Sequence, residues 1–133
     1  MTENSCATVL VVDDFAEWRS RVREMLQTRS EWKIIAEASD GEDAVQKATE
    51  YRADIIILDI GLPKLNGIEA ARRIRQRSPH HAHIVFVTQE GDKDIRDVAL
   101  SIQGTRYVMK SNVASQLLPA IAAALADHYA ATL

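Results

Sequence analysis

The sequence predicts an α/β fold of five β-α units, a parallel sheet with helices on both faces. Three observations carry that expectation. Short β-branched runs alternate with longer stretches of helical period through the 133 residues. Residues 55–59, IIILD, are apolar at every position before the final Asp, as suits a central parallel strand covered on both faces. No internal repeat, low-complexity tract or linker interrupts the alternation, which implies right-handed crossovers and two helical layers.

The first strand is expected at 8–12, TVLVV. After it Phe15, Trp18, Val22, Met25 and Leu26 recur at three- and four-residue spacing, the apolar stripe of a helix ending near Arg29. The second strand is 33–38, KIIAEA. Gly41 and Glu42 open a shorter helix with Ala44, Val45 and Ala48 inward, and Ala53-Asp54 leads into the third strand at 55–59. Gly61-Leu62-Pro63 signals a loop; Asn66-Gly67 starts a helix carrying Ile68, Ala71 and Ile74, which Ser78-Pro79 ends. The fourth strand is 83–88, HIVFVT. A helix with Ile95, Val98, Ala99 and Ile102 follows, then a fifth strand at 106–109. The last helix, from about Val113 to His128, turns Leu117, Ile121, Ala124 and Leu125 inward.

With 47% apolar and 26% charged residues the chain has an ordinary globular mixture. A chain of this length buries about two thirds of its unfolded surface, enough for a core without staples. One domain, residues 7–128, is expected. The 16 Lys and Arg against 19 Asp and Glu give a net charge of −3, which offers no footprint for a nucleic-acid backbone or an anionic membrane. No DNA contact by this chain is expected, and the segment after the last helix leaves no room for a helix-turn-helix. Cys6, the single cysteine, cannot form an internal disulfide and lacks zinc spacing, so a reducing compartment fits. The longest apolar run, LLPAIAAALA, is ten residues with Pro119 inside it, too short to span a bilayer. The N-terminus carries Glu3 and no basic residue before Asp13-Asp14, unlike a secretory signal. A cytoplasmic location is expected.

In an open parallel sheet, ligands bind beyond the carboxyl ends of the strands, where strand order reverses. Asp13-Asp14, Asp59, Thr88 and Lys110 stand at those ends. Clustered carboxylates repel one another and raise each other's pKa unless a cation sits among them. Their hard oxygens suit Mg2+, which keeps several waters and shares its shell with phosphate. A hydroxyl and an ammonium facing the ion would hold the oxygens of a phosphoryl group.

On these residues the chain resembles the receiver domain of bacterial two-component response regulators. VLVVDD, IIILDIGLPKLNGIEAARRIR, VFVT and YVMKS stand in the family's order, and the likeness runs from residue 7 to about 127. The run from Gly61 through Lys110-Ser111 is most similar to receivers of regulators with a LuxR-type helix-turn-helix. The resemblance implies a doubly wound, flavodoxin-like (βα)5 three-layer sandwich with strand order 2-1-3-4-5. It implies Asp59 as the phosphoacceptor of a phosphorelay. Asp14 and Asp59 would bind Mg2+ directly, with Asp13 acting through water and the Gly61 backbone carbonyl as a further ligand. Thr88 would bond a phosphoryl oxygen, Lys110 would pair with the phosphoryl charge, and Tyr107 would change rotamer on activation. The implied donor is a sensor histidine kinase or a phosphotransfer protein. The outcome would be a change of protein partners, a phosphorylation-dependent homodimer among them, on the face of the fourth helix, fifth strand and fifth helix. Such a chain is a signalling phosphoacceptor that assists its own Mg2+-dependent phosphorylation and dephosphorylation, with no nucleic-acid or membrane contact. In a LuxR-type regulator the DNA-binding part would lie beyond Leu133.

Three departures from the family pattern stand out. Gln89 occupies a position where receivers place a small residue, so it is expected to narrow access to Asp59 and, with Gly61 and Glu90, to set the phosphoryl lifetime. Gln103-Gly104-Thr105-Arg106 puts bulk and charge on the switch segment. Ser111 follows Lys110 in place of a proline, so nothing lowers the cost of a cis bond there.

Each residue also has a plainer reading. Asp14 alone would be a cap for the helix opening at Phe15, Thr88 an ordinary strand residue, and Lys110 a surface charge; the set of strand ends decides against all three. His80, His81 and His83 flank a proline turn without companion ligands and read as a solvated loop. Arg72, Arg73, Arg75 and Arg77 read as a charged outer face, as do the residues from Asp92 to Asp97 around Ile95. Cys6 reads as inert. A phosphohydrolase of the haloacid dehalogenase type also uses an aspartyl phosphate, but Asp59-Ile60-Gly61 lacks the second Asp of that class, and turnover of a phosphate ester would discriminate. A flavodoxin would need a Ser/Thr/Gly-rich loop after the first strand. A receiver that never takes phosphate has Gln89 as its one hint.

Overall fold

Each β-branched run forms a strand and each periodic segment a helix. A computed structural model describes residues 6–78, 82–89 and 91–132. The chain runs β1 (Ala7–Val12), α1 (Ala16–Leu26), β2 (Trp32–Ala38), α2 (Gly41–Tyr51), β3 (Ile55–Leu58) and α3 (Gly67–Arg77). It continues through β4 (His83–Thr88), α4 (Lys93–Leu100), β5 (Thr105–Met109), a 3-10 turn over Lys110–Asn112 and α5 (Val113–Thr132). Asp40, Asn66 and Asp92 cap α2, α3 and α4, accepting from the amides of Asp43, Glu69 and Asp94 at 2.8, 2.9 and 2.8 Å.

All strands are parallel, in the order β2-β1-β3-β4-β5. Helix α1 carries the chain one way along the sheet, from β1 to β2, and α2, α3 and α4 carry it the other way. Right-handed crossovers then put α1 on one face and those three on the other. The core has that division. Val9, Val11, Ile55 and Ile57 pack with Val22 and Leu26 of α1 and with Leu117 and Ile121 of α5. Their strand neighbours Leu10, Val12, Ile56 and Leu58 pack with Val45, Ala71, Ile74 and Ala99 of α2, α3 and α4. Alternate strand positions feed opposite layers, and the reversal of direction falls between β1 and β3.

Four expectations need correction. Helix α1 stops at Leu26, short of Arg29, and Phe15 is its N-cap residue, 56% exposed and off the buried stripe. Val98 is 40% exposed, because the inward line of α4 runs from the partly buried Ile95 to the buried Ala99 and Val98 lies a step to its side, while Ile102, expected on this helix, packs inward from beyond its end at Leu100. Arg75 is not on a charged outer face. It is half-buried beside the Gly104 turn (φ +75), its Nε and Nη2 lack hydrogen-bond partners, and burial lowers its pKa. Arg72 and Arg73 are exposed as expected and pair with Glu69. Helix α5 continues past His128 to Thr132. The expected turn at Pro79, the reading of His80 and His81 as a solvated loop and the lifetime role of Glu90 fall outside the described residues. Among the described residues no helix is long and apolar enough to cross a membrane.

Candidate functional site

The switch point assembles the acidic cluster from backbone register. Val12 of β1 lies beside Leu58 of β3, so the residues that follow them emerge side by side. The Asp59 amide donates to the Val12 carbonyl at 3.1 Å and the Asp13 amide to the Ala38 carbonyl at 3.1 Å, extending the ladder by one residue on each side. Carboxylate oxygens of Asp13, Asp14 and Asp59 lie within 4.8 Å of one another. Thr88 ends β4, and the turn after β5 delivers Lys110, whose Nζ is 2.8 Å from Asp13 Oδ2 and 3.3 Å from Asp59 Oδ2. Asp13, Asp59, Thr88 and Lys110 are buried, and Asp14 is exposed. Asp14, Asp59, Thr88 and Lys110 line one cavity of about 230 Å³, with Gly61 and the exposed Gln89 also in its wall. The five polar strand-end groups thus converge.

Three carboxylates face one ammonium, so the cluster carries an excess of negative charge that a cation would relieve. Burial raises the Asp13 carboxyl above its ordinary range, and the charge of Asp59 pushes the same way, against hydrogen bonds from Lys110 and from the Phe15 amide. A carboxyl held up in the fold contributes stability at low pH that is lost as pH rises through its folded value, so the ionised Asp13 weighs against the fold at neutral pH. The donor set is all hard oxygen, which fits a divalent cation of the magnesium kind. Asp14 does not cap α1. The local bond comes from Asp13, whose Oδ1 accepts from the Phe15 amide at 2.9 Å, and Phe15 has no side-chain cap. The Asp14 carboxylate is left on the cavity.

The β3-α3 loop seats Asp59. Gly67 donates to the Ile60 carbonyl at 2.7 Å, Leu62 to the same oxygen at 2.9 Å, and Gly61 to Asp59 Oδ1 at 3.4 Å. Gly67 lies so close beneath that a Cβ there would stand 2.0 Å from the Asp59 carbonyl oxygen. Sequence reading takes Asn66-Gly67 as a helix start and misses this close approach. It also misses Arg19, whose Nη1 donates to the Asp13 carbonyl at 2.7 Å and whose Nε pairs with Glu37 at 3.1 Å, fixing the Asp13 backbone. Two rings surround the ammonium of Lys110, Trp18 at 4.7 Å and Phe15 at 5.9 Å. No signal in the sequence joins α1 to Lys110. Tyr107 is half-buried on β5 opposite Phe86, with the Arg96 guanidinium 5.9 Å from its ring. Among the described residues no peptide is cis, the Lys110-Ser111 bond included.

A doubly wound sheet that gathers an acidic cluster, a hydroxyl and a lysine at its switch point defines the phosphoacceptor receivers of two-component signalling. The chain belongs to that family: residues 9–122 match the response regulator receiver domain. A LuxR-family response regulator from Aurantimonas sp. SI85-9A1 superposes with a TM-score of 0.86 at 33% identity, over 92% of this chain and 87% of that one. The response regulator domain of Thermotoga maritima CheB does so at 0.82 and 32%, over 90% and 96%. The transcriptional regulatory protein DegU of Brevibacillus brevis is 31% identical over 113 residues, 85% of this chain and 48% of DegU. The chain spans roughly half the length of such regulators, 59% for Escherichia coli NarL.

Proposed function

We propose that residues 7–128 form a receiver unit in which Asp59 takes the phosphoryl group of a phosphohistidine, on a sensor kinase or a phosphotransfer protein. The observation that carries this is the buried Asp59 carboxylate, beside Lys110 and on a cavity shared with Thr88 and Asp14. An Asp59 carboxylate oxygen forms the new bond to phosphorus, the donor's P–N bond breaks, and the leaving imidazole takes a proton. Asp14 and Asp59 would hold Mg2+ directly, Asp13 through water, with the Gly61 carbonyl as a further ligand. When bound there, the ion would supply positive charge to offset that on the phosphoryl oxygens. Lys110 pairs with one of those oxygens and Thr88 donates its hydroxyl to another. Water later hydrolyses the acyl phosphate, so the chain is a phosphoacceptor that assists its own turnover and is no enzyme on a separate substrate.

The recruitment of Thr88 at the end of β4 draws on the strand that pairs with β5, and Tyr107 turns inward there, changing the α4-β5-α5 face. Output is then a change of protein partners, homodimerisation among them. Transcriptional control, in the name of DegU, enters this reading through whatever such a face contacts.

Intact-mass measurement after incubation with acetyl phosphate tests the reading. One phosphoryl group is expected with Mg2+ and none in a chelator, and borohydride trapping should map it to Asp59. Modification at another residue, or no gain with Mg2+, rejects it. Gln89 supplies a second measurement. Its exposed side chain shares the cavity wall, so Gln89→Ala is expected to speed both uptake from acetyl phosphate and loss of the phosphoryl group by a few fold, about 1 kcal/mol of barrier at most. Equal rates in both directions would mean that Gln89 leaves the path to Asp59 clear.

A further inference from the structure

Lys110 is held by more than its carboxylates. Its side chain is 5% exposed, and its ammonium has Asp13 and Asp59 on its acidic side and the indole of Trp18 4.7 Å away. Trp18 lies on α1, one turn beyond Asp14, partly buried against the α1-α5 layer of the core. Arg21, one turn further, sets its guanidinium 5.2 Å from the same ring. The face of an indole carries negative potential, and its attraction for a cation grows as water is removed.

We propose that Trp18 is a positioning residue for Lys110: the indole face keeps the ammonium inside the site when the carboxylates it now pairs with are engaged elsewhere. This rests on the reading of Asp59 as phosphoacceptor. In the resting arrangement two carboxylates hold Lys110. During transfer the Asp59 oxygen bonds phosphorus, and a metal held by Asp59 directly and by Asp13 through water would draw on both carboxylates, so both pairs with Lys110 would weaken together. Held then by a phosphoryl oxygen alone, a lysine on a four-carbon stem would spend part of its time in water, because its ammonium is strongly hydrated and its rotamers many. The indole competes with water for the ammonium and does not compete with phosphate, since it accepts no σ hydrogen bond and leaves the N–H donors free. Its contribution is thus larger in the reacting arrangement than in the resting one, and only such a difference speeds a reaction. Phe15, 5.9 Å away and 56% exposed, is the weaker neighbour, so the effect resides in Trp18.

The test separates ring electrons from ring volume. Trp18→Leu, apolar without a quadrupole, is expected to slow phosphorylation by acetyl phosphate about tenfold, and Trp18→Phe, with a weaker one, about threefold. Protein made with mono-, di- and trifluorotryptophan keeps the shape of the ring and drains its face, so the rate should fall stepwise with fluorine count. The Trp18→Phe protein labelled the same way, with fluorine only at Trp32, should show no such series. A second readout needs neither donor nor metal. The emission of Trp18, taken as the difference between wild-type and Trp18→Phe spectra, should change on Lys110→Met. A flat fluorine series or unchanged emission overturns the assignment of Trp18. Failure of the wild type itself to take up phosphate would instead reject Asp59 as acceptor, while the emission measurement would still report on the Trp18-Lys110 contact.

Discussion

Asp59→Asn is expected to abolish phosphoryl uptake and, in metal-free buffer, to raise the melting temperature. The two effects have one cause. The asparagine keeps the shape of the carboxylate but offers an amide, which does not attack phosphorus at a useful rate, so intact mass should be unchanged after any exposure to donor. The same replacement removes one of three carboxylates that lie within 4.8 Å of one another. Lys110 keeps its shorter pair, 2.8 Å to Asp13, and loses the longer, 3.3 Å to Asp59. Relief of repulsion between buried like charges outweighs the weaker pair by about 1 kcal/mol. Mg2+ reverses the order, since an ion bound to the native state alone stabilises it by mass action and the wild type binds it better. Thermal melts with chelator and with Mg2+ should therefore cross. A variant that melts lower than the wild type in chelator would mean that Lys110 neutralises Asp59 more fully than its distance suggests.

How much of this was legible beforehand follows from range along the chain. The alternation of β-branched and periodic segments lays out all five units, because strand and helix periods are local properties. The site was legible for a different reason. In a parallel sheet every strand points the same way, so the residues at or just past the end of each strand reach the same edge wherever the strands sit, and Asp13, Asp59, Thr88 and Lys110 need no distances to be grouped. What stayed hidden depends on contacts between segments far apart in sequence. Trp18 and Lys110 are an example, as is Arg19, which joins the Asp13 carbonyl to Glu37 on β2. Periodicity misplaces Phe15 and Val98 because a stripe does not say where a helix begins or which flank of it meets a neighbour. Arg75 looks like its exposed neighbours Arg72 and Arg73, and only packing against the Gly104 turn sets it apart.

Gly67→Ala tests that division most severely, because local propensity and tertiary contact predict opposite signs. Residue 67 opens α3, and alanine in place of glycine within a helix is ordinarily worth up to about 1 kcal/mol in favour of the fold. Here the added methyl would stand 2.0 Å from the Asp59 carbonyl oxygen and 2.7 Å from Ile60 Cα, both backbone atoms of the segment that carries the acceptor. No side-chain rotamer can relieve such a contact. Either α3 lifts away, breaking the 2.7 Å bond from the Gly67 amide to the Ile60 carbonyl, or Asp59 shifts out of line with Asp13 and Lys110. Overpacking against fixed backbone places the loss at about 3 kcal/mol or more, and chemical denaturation should read it directly. Uptake of phosphate by the folded fraction should fall as well, since the displaced atoms are those of Asp59 itself. Gly61→Ala, six residues earlier in the same loop, is the stability control: a Cβ there meets nothing within 4 Å, so its unfolding free energy should stay within about 0.5 kcal/mol of the wild type. If Gly67→Ala unfolds no more easily than Gly61→Ala, the close seating of α3 beneath Asp59 is wrong, and with it the account of how this loop fixes the acceptor.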